Sequence, residues 1–357
     1  MQNPLARPFT AALIIPTGIG ARYGGFGGDA TPYLNLLAAC CDCLLTHPNV
    51  ANAAGFQKLP PNALYVEGYG LDQFFKGRWA LRPVRQNRVG VVLDAGIEPG
   101  MRTLHENVIA AVRSVYGVCL LPTIDTAEPI QIQFQMESSG ASAGIVENPD
   151  VLLQAAQAAQ QAGATAIAVA VGMREPEDWA NDYAQGEGVD PIGGLEAVIS
   201  HTLVSLLEVP CAHAPVFPWE LAEPVRDRQV DLRAAAEYIT PSFLPCVLTG
   251  LHQAPQFVTQ SSDLQPTDIC LGDLDALVVP GNALGGIPTL AALEHHIPVI
   301  AVMENTTVLN MTPSHLLGEH VSQWIEANLL YPVRSYPEAA GMLLALKAGI
   351  TLPESKE

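Results

Sequence analysis

Four side chains in this 357-residue chain stand where acid–base chemistry could be done: His47, Asp190, Glu196 and His213. His47 lies in Thr46-His47-Pro48-Asn49, with polar groups beside a rigid proline, and reads equally as a general base or as a cap on a helix end. His213 follows a short apolar run in Cys211-Ala212-His213-Ala214-Pro215. Asp190 precedes the pair Gly193-Gly194 and a helix carrying Glu196 and His201. Imidazoles and partly desolvated carboxyls are the groups that exchange a proton near neutral pH. The plainer alternatives are dipole compensation for Glu196 and a structural role for each histidine.

A second set of residues suits anion binding. Residues 16–29 hold the densest glycine cluster in the chain, after a predicted strand and before a predicted helix. Gly18, Gly20, Gly24 and Gly25 would present backbone N–H groups there, Arg22 would supply charge, and Asp29 closes the loop. Asn49, Ser139, Ser142, Arg174, Gly193 and Gly194 are further candidate ligand contacts. So are Asn282, Gly285, Gly286, Thr289, Glu304 and Asn305 in the last strand–helix unit. Gly24 comes one residue late for a dinucleotide fingerprint after Gly18-x-Gly20, and no P-loop lysine follows, so no cofactor is identified. Gly140-Ala141-Ser142-Ala143-Gly144 has the letters of a nucleophile elbow without the preceding buried strand or the following helix. Cys40-Cys41-x-Cys43 lacks the second ligand pair of a closed zinc site and reads as small hydrophobes in an apolar helix. No metal site is expected from these spacings.

The elements that must position these residues alternate. Continuous apolar runs at 11–16, 89–94, 118–122, 164–171, 276–280 and 299–302 predict strands buried on both faces. Helix-length stretches lie at 31–45, 101–116, 149–162, 195–207, 289–295 and 337–348. Thr31 and Asn148 stand where helix caps are expected, and Gly163 where a helix stops. This order predicts an α/β fold, doubly wound, with mostly parallel sheets in two Rossmann-like lobes. Residues 130–136 read Ile-Gln-Ile-Gln-Phe-Gln-Met, a strand wet on one face. A lobe boundary is placed beside it, giving lobes 1–128 and 129–357.

Composition narrows the partners. Seventeen basic against 36 acidic residues give a formal charge of −19, which excludes nucleic acid and an anionic membrane surface as expected partners. Charged residues make up only 15%, which favours a homo-oligomer that covers apolar surface. No apolar stretch is long enough to span a membrane, the first residues lack a signal-peptide layout, and scattered cysteines fit a reducing compartment. A cytoplasmic location is expected.

Two resemblances follow from these motifs. Gly285-Gly286 before a helix, a strand led by Pro298, and Glu304-Asn305 after it are similar to the nucleotide-sugar half of two-lobed glycosyltransferases and sugar-nucleotide 2-epimerases. The acidic pattern those epimerases carry after Gly-Gly is absent at Thr289-Leu290-Ala291-Ala292. Over most of its length, and most clearly at 16–32, 46–52, 186–194 and 281–305, the chain resembles a conserved family of uncharacterised cyanobacterial and plastid proteins. That family implies no activity. The expectation is therefore an enzyme of small-molecule metabolism that binds a phosphorylated or carboxylated metabolite. The alternatives are a non-catalytic ligand-binding or sensing protein and a sugar-nucleotide enzyme.

Overall fold

The computed structural model describes residues 7–51, 59–174, 182–222 and 229–350. Two parallel sheets organise it. In the first, β1 (Thr10–Leu13), β2 (Cys43–Thr46), β3 (Ala63–Tyr65), β13 (Leu274–Pro280), β14 (Val299–Val302) and β15 (Leu330–Val333) run in the order β15-β14-β13-β1-β2-β3. The second has the order β11-β10-β5-β6, built from β5 (Arg88–Leu93), β6 (Cys119–Leu120), β10 (Ala166–Gly172) and β11 (Cys211–Val216), with β7 (Ile124–Asp125) also on β5. Two antiparallel pairs complete the strands: β4 (Ala80–Arg82) with β12 (Gln256–Val258), and β8 (Ile132–Met136) with β9 (Ser142–Val146).

The longer strands of both parallel sheets consist mainly of Val, Ile, Leu and Ala because both faces are covered. On the first sheet, α1 (Thr31–Ala38), α2 (Pro48–Ala51) and α9 (Tyr336–Lys347) lie on one side, and α3 (Gly68–Phe75) and α8 (Ile287–Glu294) on the other. On the second, α5 (Pro149–Gln161) and α6 (Gly193–Leu207) cover one face, and α4 (Pro99–Tyr116) and α7 (Leu244–His252) the other. One apolar core runs through both sheets, joining Leu13 and Leu34 to Val91, Leu93 and Leu248. This is a doubly wound α/β architecture, as the alternating runs predict.

Three expectations need correction. The stretch 31–45 is not one helix: α1 ends at Ala38, and Cys43–Thr46 becomes β2, pairing Ala11 with Leu44 and Ala12 with Leu45. A short apolar run fits a helix or a buried strand equally, and the sheet decided here. Cys40 and Cys43 therefore share no helix face, and all seven cysteines are free thiols. The division at residue 128 also fails. Strand β1 pairs with β13 and β5 with β10, so each sheet takes strands from both sides of that point. Thirdly, neither Thr31 nor Asn148 caps its helix; Asn148 accepts from the Gln131 N–H at 2.8 Å and ties the hairpin to α5.

Candidate functional site

Parallel strands deliver the residues that follow them to one end of a sheet, where open α/β folds hold ligands. Past β1, β2 and β3 come Thr17, His47 and Glu67. At the end of β11, the edge of the other sheet, stand Pro215 within the strand and Phe217 just past it. With α6 between them, these residues wall a cavity of about 150 Å³ between the edges of the two sheets. His47, Asp190, Glu196 and His213 all line it, so the four acid–base candidates share one wall space. Residues to which the motif reading gave no role complete it: Tyr65, Glu67, Tyr183, His201 and Glu237. Glu67 follows a strand of only three residues, too short to signal itself. His201 stands five residues after Glu196 on the same helix.

Two glycines set the position of α6. A Cβ at Gly194 would sit 2.0 Å from the Ser142 carbonyl oxygen, and one at Gly193 would sit 2.7 Å from Thr17 Cγ2. Only glycine admits this approach. It brings Glu196, one turn in, to within 3.3 Å of His213 Nδ1. Farther along α6, His201 Nε2 meets Glu67 Oε1 at 3.1 Å.

Burial sets the protonation of these groups. It pushes the Glu196 carboxyl up to about 8. It pushes Glu67 up to about 8 as well, against the opposing backbone N–H bonds of Gly70 and Tyr69. Asp190 rises to about 7 through burial and then repulsion from Glu196. The histidines go the other way, because burial disfavours the imidazolium: His47 falls to about 4, His213 to about 3, and His201 also falls. His47 Nε2 accepts the Ile15 N–H at 3.1 Å, which puts its ring proton on Nδ1. Near neutral pH both members of the Glu196–His213 pair thus favour their neutral forms, a protonated carboxyl beside an uncharged imidazole. His213 Nε2 is buried with no hydrogen-bond partner among the described residues.

The expected ligand loops do meet, but most of their polar groups are spent on one another, Asp29 Oδ2 being buried without a partner among the described residues. Ser142 N–H donates to the Gly18 carbonyl at 2.8 Å, and the Gly194 N–H donates to Ser142 Oγ at 3.0 Å. Gly20 packs against Gly188 and Val189. Asp29 accepts the Gly24 N–H at 2.6 Å, Asn49 donates to the Ile15 and Gly24 carbonyls at 2.8 Å each, and Asn282 exchanges two bonds with Thr307. Asn305, fully buried, bonds the Tyr23 backbone in both directions and the Tyr336 hydroxyl. Glu304 accepts the Tyr336 N–H at 3.0 Å, and Ser139 accepts the Ala141 N–H at 3.3 Å. Gly25 and Asn49 alone of the expected ligand contacts line the cavity.

The anion reading therefore loses its cation. Arg22 is exposed, with its guanidinium 5.3 Å from the Tyr23 ring, and no Lys or Arg is among the described residues that wall the cavity. Arg174 is exposed beside Asp94 in a separate crevice at the end of the second sheet. Gly285 and Gly286 are exposed at the start of α8 and Thr289 is buried beneath them, away from the cavity. The sugar-nucleotide likeness thus has no counterpart in this site. Among the described residues no three His, Cys, Asp or Glu side chains are grouped to hold a metal ion.

Fold and site together define an α/β protein with a carboxyl- and histidine-lined cavity between two parallel sheets. The chain belongs to the family of proteins of unknown function DUF3326, whose profile matches residues 10–355. It is 40% identical over 351 residues to an uncharacterized lipoprotein of Synechococcus sp., covering 97% of this chain and 93% of that one. No solved structure matches it. That this relative is named a lipoprotein overturns the cytoplasmic expectation. That expectation rested on the absence of a spanning segment, the layout of the first residues and the scattered cysteines, and a lipid anchor needs no spanning segment. No helix among the described residues is long and apolar enough to cross a membrane.

Proposed function

We propose that this protein is an enzyme of small-molecule metabolism that binds its substrate between the two sheets and moves a proton with Glu196 and His213. One observation carries the reading. A half-buried carboxyl and a buried imidazole lie 3.3 Å apart on the wall of a cavity, and the outer imidazole nitrogen is left without a partner among the described residues. With the proton on Glu196, its O–H donates to Nδ1 and leaves Nε2 carrying N–H, ready to give a proton. With the carboxylate accepting from Nδ1–H, Nε2 offers a lone pair and takes one. When Nε2 gives its proton to a substrate, the Glu196 proton passes to Nδ1 and the pair becomes the base; a proton taken back at Nε2 reverses both transfers, as both halves of an acid–base cycle require. Asp190, in the electrostatic reach of Glu196, biases where that proton rests.

The test begins with a thermal-shift screen of small metabolites, followed by turnover assays on each ligand that stabilises the protein. Glu196→Gln and His213→Asn are each expected to lower kcat at saturating ligand by about 10²- to 10⁴-fold, and His213→Asn to do so with little change in ligand affinity. Ligands that bind with no turnover, or turnover that survives both substitutions, would make the cavity a binding site instead.

A further inference from the structure

Resting on the reading of that cavity as the substrate site, we infer that its ligand is a small protonated amine, with the ammonium held among Glu67, Asp190 and Glu196 and the carbon skeleton against Tyr65, Phe217 and Phe243.

The chain treats carboxylates in two ways. Where one is structural it is given a counter-charge or a full set of donors. Asp268, with a fully buried side chain, pairs with Arg82 at 2.8 Å, and Asp94 accepts the N–H groups of Gly96, Ile130 and Gly172. The carboxyls on the cavity wall are kept differently. Glu196 has the His213 ring, Glu67 has His201 and two N–H groups of its own turn, and no Lys or Arg shares the wall among the described residues. Their environment leaves the negative form uncompensated, as the raised titration of all three reports. Buried charge without a partner is costly, so a ligand that supplies positive charge gains what the wall itself lacks. An anion would add repulsion to the same wall.

Two observations other than the carboxyls point to a ligand of this type. His213, whose side chain is 1% exposed, has an unpartnered Nε2 among the described residues, so the site holds a polar atom awaiting a donor or acceptor. Opposite charge is joined by aromatic surface. The Phe217 and Phe243 rings meet edge to face at 5.9 Å, and Tyr65 lies in the fields of both Glu67 and Glu196. Ring faces beside carboxylates are the surroundings that an organic ammonium prefers to water, through its charge on the ring and its methylenes against carbon. A bare metal ion would use neither.

Calorimetry tests this on the full chain at pH 7, with n-butylamine, benzylamine and 1,4-diaminobutane as probes and butanoate as the anionic control. Saturable binding of at least one amine, at least tenfold tighter than butanoate, is expected. Runs in two buffers of different ionisation enthalpy should report proton release, because the ammonium draws a wall carboxyl into its ionised form. Glu67→Gln and Glu196→Gln should each weaken the amine about tenfold or more. The comparison of amine with butanoate needs no variant, so it stands even where a substitution fails to fold. Preference for butanoate, absence of binding by all three amines at 50 mM, binding indifferent to both substitutions, or retention of a divalent metal in place of amines would each overturn the inference. Its failure is separable from that of the catalytic reading. Anion preference with turnover lost in Glu196→Gln removes only the amine, whereas amine binding with turnover intact in that variant removes only the catalysis.

Discussion

Proton affinity at single residues gives this protein an unusual dependence of stability on pH. Glu67 and Glu196 titrate near 8 when folded and near 4.5 when not. Between those values the folded chain holds protons that the unfolded chain has lost. Their contribution to stability is therefore complete below pH 4.5 and lost as pH rises through 8. His47 and His213 act in the opposite sense: from 6.5 unfolded they fall to about 4 and about 3 in the folded chain. Stability from them grows as pH rises to 6.5 and then is constant. The two effects offset each other between pH 4.5 and 6.5, and above that only the carboxyls act. Melting temperature is expected to decline from pH 6.5 to 8, by on the order of 1 kcal/mol of stability per carboxyl per pH unit. Glu67→Gln should shallow that decline. A melting temperature constant over this interval would mean that the cavity carboxyls titrate normally.

At the scale of elements, glycine carries two meanings that a sequence does not separate. Dense glycine after a strand reads as backbone N–H offered to an anion. In the structure the glycines mainly make room. Gly18, at φ +68°, and Gly194 let the loop after β1, the start of β9 and the start of α6 touch. Gly194→Ala is expected to destabilise by a few kcal/mol, because the new Cβ meets backbone that cannot swing aside. Gly341 lies in α9 with nothing within 4 Å of its would-be Cβ. Gly341→Ala should stabilise by up to about 1 kcal/mol through helix propensity. Thermal unfolding of the two variants side by side checks both signs, and equal effects would contradict the packing described for α6.

The same ambiguity explains what could be read of fold and site beforehand. Six continuous apolar runs mark strands of the two parallel sheets correctly, because burial on both faces leaves an unbroken hydrophobic signal. Leu44 and Leu45 carry the same signal inside a longer apolar stretch, and there it merges with the preceding helix. Consequently His47 looked like a helix-end residue, although it follows a strand at the ligand-facing end of a sheet. Glu67 gave no sign, since a three-residue strand has no periodicity to count. The proximity of Glu196 to His213 is a tertiary fact: they lie on an element and the strand after it, and only the packing of α6 on the sheet brings them together.

Over the whole molecule, strand order decides what can fold alone. The first sheet is assembled from both ends of the described chain, and the second lies between them in sequence. The fragment 1–128 contains β1, β2 and β3 without β13, and β5 without β10. Expressed alone, it is expected to lack amide dispersion by NMR and to melt without a cooperative transition. A folded fragment would contradict the pairing.

Synthesis from the amino terminus meets the same topology as a matter of time. Thr10 is made 264 residues before its partner Leu274. At roughly 5–20 residues per second, the open hydrogen-bonding side of β1 must wait roughly 15 to 50 s for the strand that covers it. The intervening sheet can close during that interval, when β10 and β11 join β5. A nascent chain therefore carries a bare apolar strand beside a finished core, and that strand is where self-association during translation would begin.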